Sequence, residues 1–207
     1  MAPIFVASAS MRLIGALTLH TRQIILIAAL VFVAALIGSL SRPTGFLAAF
    51  WPANAVLAGL LLRNVLLSRI SVLLAAAAGY TAAAIVVGDQ LGPASVMTLA
   101  NIIGAATVAA VLGTGSAQDR TLSRPQGVVA LLMASIAGSA SGAMVGGLAM
   151  VDLVSGSYFD GWSAWFAAEL VNYLALMPVV LTWPAEGIRI VRPGSQAAPI
   201  AALAAAV

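Results

Sequence analysis

Residues 161–183, Gly161 to Trp183, read GWSAWFAAELVNYLALMPVVLTW. The run is largely apolar, holds one acidic residue, Glu169, and has Trp162 and Trp183 near its ends, 21 residues apart. In a helix rising 1.5 Å per residue the two indoles lie about 31 Å apart, which matches the ~30 Å of hydrocarbon in a bilayer and sets one ring at each interface. The pattern is that of a transmembrane helix with a carboxyl group inside it.

Five further apolar runs have similar lengths: Gln23 to Leu40, Gly45 to Leu62, Ile70 to Gly88, Pro93 to Leu112 and Gln126 to Met150. They approach the ~20 residues that a spanning helix needs, and they lack the alternating ~10-residue segments of an outer-membrane barrel. Of 207 residues, 62% are hydrophobic and only 7% charged, where soluble domains carry roughly 25% charge. The sequence therefore predicts an all-α, polytopic bundle of six transmembrane helices. Residues 1–22 form an N-terminal cytoplasmic segment, residues 23–190 the bundle, and residues 191–207 a cytoplasmic loop that runs into Ala197 to Val207. That last apolar run is too short to span and reads as the start of a further helix.

The nine basic residues are all Arg. Arg12 and Arg22 precede the first run, Arg63 and Arg69 follow the second, Arg120 and Arg124 the fourth, and Arg189 and Arg192 the sixth. The opposite loops hold only Arg42, with Asp89, Asp152 and Asp160. This alternation follows the positive-inside rule and places the N-terminus in the cytoplasm. The net charge of +3 is then a topology signal, and no basic patch points to nucleic acid. The first run is longer than the apolar core of a cleaved signal peptide and has no clear small-x-small site followed by a polar mature start, so it reads as a retained helix. The absence of cysteine excludes disulfides, thiolate metal sites and a cysteine nucleophile. His20 is the only histidine and has no set of companion donors, so neither a metal nor a cofactor is expected.

Under this topology the second, fourth and sixth spans run inward. Asn54 comes nine residues after Gly45, Asn101 eight after Pro93, and Glu169 eight after Gly161. Each therefore lies roughly 12–14 Å below the outer surface. An ionised carboxylate at that depth costs at least a few kcal/mol unless it meets a partner or water, so Glu169 must be paired, hydrated or protonated. Trp165, Asn172 and Tyr173 lie three or four residues from Glu169 and share or border its helical face. Two readings stay open. The polar layer can fix helix register by internal hydrogen bonds, or it can floor a pocket open to the outside that binds a small ligand or relays protons.

The segment Phe50 to Val56, FWPANAV, bears on that pocket. Proline lacks an amide hydrogen and is best placed at the first position of a helix. The second span is thus expected to break, with a helix starting at Pro52 and the free amides of Ala53 and Asn54 directed at the membrane interior, as half-helix starts are in transporters, with Glu169 a candidate for the group they meet. Trp51 either walls the pocket or anchors at the interface. In the fifth span Ala134, Gly138, Gly142 and Gly146 recur every four residues, a smooth ridge that serves packing within the bundle or a homodimer interface. Ser135, Ser139 and Ser141 read as packing residues on the same helix.

Three segments resemble a known family. FWPANAVLAGLLLR is similar to the W-P-P-x-G segment of the bacterial membrane-associated sensor domain, the first of the MASE families. TLANIIGAATVAAVL resembles that family's G-N-containing segment, and WFAAELVNYLALMPVVLTW its W-x-x-G-D segment followed by an intramembrane proline, here Pro178. Ala53 stands where a second proline is common, Ala100 where a glycine precedes the asparagine, and Ala168-Glu169 where Gly-Asp is usual. The resemblance implies a sensory input domain of the bacterial inner membrane whose cytoplasmic output is a GGDEF diguanylate cyclase, an EAL phosphodiesterase or a histidine kinase. Trp51, Pro52, Asn54, Asn101, Trp165 and Glu169 fall on its motif positions, whereas Asn172 and Tyr173 enter from the helical face alone.

The leading expectation is accordingly a membrane sensor with an attached output domain, most simply in cyclic di-GMP signalling. The alternative is a small-solute transport or substrate-binding component, which also exposes a site outward. No catalytic motif stands in these residues: there is no Ser with a His partner and no aspartate pair at one depth.

Overall fold

A computed structural model describes residues 3–42, 48, 50–63, 67–115, 122–154 and 156–182, with side chains from Thr18 onward except those of residues 152–154. The expectations for Gly45, Arg120, Trp183, Arg189, Arg192 and residues 191–207 lie outside the described residues, as do those for the Arg12 and Asp152 side chains. Six helices follow one another: α1 (Pro3–Leu40), α2 (Pro52–Arg63), α3 (Arg69–Val87), α4 (Leu91–Gly113), α5 (Pro125–Val154) and α6 (Tyr158–Thr182). The described residues contain no strand. Thr18–Leu40 of α1, all of α3, α4 and α6, and Pro125–Val151 of α5 are long and apolar enough to cross a bilayer. The chain is a multi-pass helical membrane protein.

The second predicted span differs from the others. Its helix, α2, has 12 residues and a length of about 18 Å, short of the ~30 Å of a bilayer. It starts at Pro52 because that residue needs no hydrogen-bond acceptor at a helix N-terminus, and Phe50 and Trp51 before it are not helical. In the other direction α1 extends well beyond the predicted Gln23, back to Pro3. Local chemistry marks other ends too. Ser68 caps α3 by accepting from the Ser71 amide at 3.2 Å. Gly88, at φ +80°, closes α3 in a left-handed turn that glycine adopts without strain, and the Asp89 amide donates to Ala84 O at 2.9 Å.

α1 packs on α3, α5 lies between α4 and α6, and α2 is inserted among α1, α4 and α6. The packing is that of a membrane bundle. Ala53, Ala58, Ala76, Ala105, Ala134 and Ala143 are buried, while Ile25, Leu30, Ile70, Leu74, Val171 and Val179 face outward, where lipid tails cover them. Small residues inside let helix backbones approach closely and gain dispersion contacts. The ridge on α5 is used in this way. A Cβ on Gly138 would meet Val108 of α4, one on Gly142 would lie 3.2 Å from Ala100 O, and one on Gly146 would meet the Trp165 ring of α6. Ala134 is fully buried. Ser141 donates to Thr107 Oγ1 of α4 at 3.0 Å, and Ser135 and Ser139 are buried beside it. Beyond the ridge, Trp162 stacks between Phe159 and Phe166, with centroid distances of 6.2 and 5.1 Å, an aromatic group suited to the membrane interface.

The tightest crossing is between α1 and α3. A Cβ on Gly79 would come within 2.6 Å of the Ala28 carbonyl oxygen and 3.0 Å of the Phe32 amide nitrogen. Backbone cannot swing aside as a side chain can. Gly79→Ala is expected to lower stability by about 1–3 kcal/mol through overpacking, read as a lower melting temperature in detergent. Gly92→Ala, with nothing within 4 Å of the added carbon, is the control expected to melt like the wild type.

Candidate functional site

Asn54 lies two residues into α2 and is 1% exposed at the centre of the bundle. Its carboxamide nitrogen donates to Asn101 Oδ1 of α4 at 2.9 Å and to both carboxylate oxygens of Glu169 on α6, at 2.7 and 2.8 Å. Its carbonyl oxygen accepts from the Tyr80 hydroxyl of α3 at 2.5 Å and from Trp51 Nε1 at 3.2 Å. One side chain thus ties α2 to α3, α4 and α6. The three polar residues assigned to one depth by counting from the span ends meet in a single hydrogen-bonded group.

The start of α2 is held from α6. The Trp51 amide donates to Asn172 Oδ1 at 2.7 Å, and Asn172 Nδ2 donates back to Ala168 O at 2.8 Å. One expectation is corrected here. Among the described residues Glu169 is met by the Asn54 carboxamide, whereas the amides of Ala53 and Asn54 make no hydrogen bond to it; the side chain projects farther from the helix axis and reaches the carboxylate first. Tyr173 is buried with its hydroxyl beside Glu169 and Asn54 but without a direct hydrogen bond, and the bare Cα of Gly104 leaves it room. Trp165 is also buried, packed on Gly146, with Nε1 unpartnered.

A cavity of about 80 Å³ adjoins this group, with room for several water molecules or a small guest. Trp51, Tyr80 and Trp165 wall it, Asn101, Glu169 and Asn172 supply its polar side, and Arg42 and Asp89 line it as well. Arg42 pairs with Asp89 at 2.8 Å and also donates to Ser39 at 3.1 Å. The pair joins the end of α1 to the α3–α4 turn and lines the cavity there. Trp51 is therefore a wall. Of the residues expected at the site, Trp51, Asn101, Trp165, Glu169 and Asn172 line the cavity, whereas Pro52, Asn54 and Tyr173 do not.

Tyr80 is the residue that sequence reasoning missed. It lies eight residues before Gly88, so counting back from the C-terminal end of α3 places it about 12 Å along the helix, level with the others. The same count applied to α3 would have found it. Among the described residues no group of three acidic, histidine or cysteine side chains is placed to hold a metal ion. Compared with known proteins, the chain matches no protein-family model, no curated protein and no solved structure.

Proposed function

We propose that the chain is the membrane-embedded input module of a bacterial signalling protein, placed in the inner membrane with its N-terminus in the cytoplasm and six segments in the bilayer. A signal reaching the cavity from outside, or from within the bilayer, shifts the packing of α6 against α2. The observation that carries this reading is the Asn54 group: Glu169 bonds Asn54 of α2, and Asn54 in turn bonds Asn101 of α4 and Tyr80 of α3, so one side chain links a change at Glu169 to three other helices. A ligand can shift such a bundle only by binding one packing better than another.

The far end of α6 offers a route to an output domain. Arg63 at the end of α2 donates to Leu181 O at 2.8 Å, so the two helices that share the polar group are also tied at their inner ends. Pro178 lies between. It removes one amide from the helical ladder and makes that turn the easiest place for α6 to bend. The likeness to the sensor family supports a GGDEF diguanylate cyclase as the output, with a phosphodiesterase or histidine kinase in the same role. A homodimer would use a surface other than the α5 ridge, which packs within the chain.

The test is the native reading frame downstream of Val207 and the activity it encodes. A cyclase, phosphodiesterase or kinase domain whose output depends on this segment supports the sensor. A stop codon close by, with uptake or binding of a solute by the chain alone, establishes the transport or substrate-binding alternative instead.

A further inference from the structure

We infer that the cavity beside Glu169 binds a small organic ammonium ion, its charged head on the Glu169 carboxylate and its hydrocarbon body among Trp51, Tyr80 and Trp165. The inference rests on the sensor reading for what binding does, while binding itself is a property of this chain. Charge decides the class of guest. The cavity lining holds one cation, Arg42, and two carboxyl groups, Asp89 and Glu169. Arg42 is committed to Asp89 at 2.8 Å, and among the described residues no cation pairs with Glu169. Asn54 gives both carboxylate oxygens a hydrogen-bond donor but no positive charge.

A cation entering the cavity supplies the missing charge. A divalent metal is disfavoured because it needs several oxygen ligands, and among the described residues no acidic or histidine cluster accompanies Glu169. Ser39, Thr98, Asn101 and Asn172 add neutral polar groups, and the rest of the lining is indole, phenol, alanine and methionine, including Met97 and Met150. The apolar walls suit an alkylammonium, whose head gains from aromatic faces and whose carbon chain gains from apolar contact, a gain that a bare sodium ion cannot make. Size fits a short chain. A volume of about 80 Å³ takes roughly five to eight water-sized groups at ~10–15 Å³ each, and n-butylammonium has five heavy atoms.

The experiment titrates n-butylammonium chloride into the full chain in lipid nanodiscs and follows tryptophan fluorescence, since Trp51 and Trp165 line the cavity. Empty nanodiscs give the background, n-butanol is the neutral isostere and sodium chloride the ionic control. Saturable binding of n-butylammonium is expected, at least tenfold weaker for n-butanol and at least tenfold weaker in Glu169→Gln. Ala84→Leu fills the cavity without touching the polar group and is expected to abolish binding, which keeps the test decisive if Glu169→Gln fails to fold. Equal binding of n-butanol, full displacement by equimolar sodium chloride, or no saturable binding to the folded wild type each overturns the ammonium site. Binding with no change in the output of the full-length protein leaves this site standing and overturns the sensor reading; an output that depends on Glu169 without amine binding does the reverse.

Discussion

Asn54→Leu is expected to destabilise the bundle by about 2–4 kcal/mol, more than any other single change in the polar group. Leucine has the branching of asparagine but is larger, so some overpacking around α2 adds to the cost. What is lost is the partner of Asn101 Oδ1, of both Glu169 oxygens, of the Tyr80 hydroxyl and of Trp51 Nε1. Each buried group left unpaired costs about 1–3 kcal/mol in soluble proteins, but hydrogen bonds in membranes average only about 0.6 kcal/mol because the unfolded chain finds other partners. Several such losses at once bring the sum to the stated range. Reversible unfolding in mixed micelles measures it, with Asn101→Leu, which breaks one of these bonds, expected to cost less than half as much. A midpoint for Asn54→Leu equal to that of the wild type would show that the group does not hold the helices together.

Glu169→Gln is expected to do the opposite, leaving the fold nearly unchanged and removing the response. Glutamine keeps the shape and retains a carbonyl oxygen that accepts from Asn54 Nδ2, so folded yield in the membrane should stay within about 20% of wild type and the midpoint within about 1 kcal/mol. Its amide cannot carry a negative charge. A guest that pairs with a carboxylate, or a proton that moves onto one, then has nothing to act on. In the full-length protein we expect the output, read as cellular cyclic di-GMP per inserted molecule, to change at least fivefold and to stop answering the signal. A large fall in folded yield with no separable change in output would mean that the carboxyl group serves structure alone.

Much of this site was legible before any coordinates. Pro52 announced the start of α2 through the chemistry of its ring, and a depth count at 1.5 Å per residue brought Asn54, Asn101 and Glu169 to one level. Depth is readable because a spanning helix begins at a known surface. Rotation about the helix axis is not, and it decides who pairs with whom. It made Asn54, not Glu169, the residue with most partners, and it joined Arg42 to Asp89 across 47 residues. Gly79 was unremarkable among alanines in the sequence, since its close approach to α1 depends on where α1 crosses. The α5 ridge announced close packing but not its partner, which is α4 and Trp165 of α6 within the same chain. The second span, Gly45 to Leu62, was long enough by apolarity to cross, and only the proline showed that its helix starts at Pro52 and is too short to do so.

The central claim is that a change at Glu169 is felt at the C-terminal end of α6. The chain has no cysteine, so spin labels can be placed at Ile70→Cys and Thr182→Cys, both exposed, near the N-terminal end of α3 and at the C-terminal end of α6. Double electron–electron resonance then compares their distance distribution in nanodiscs at neutral pH with and without Glu169→Gln. We expect the mean to shift by about 2 Å or more, the scale of helix movements in known switches; superimposable distributions, with both proteins folded, would contradict the coupling.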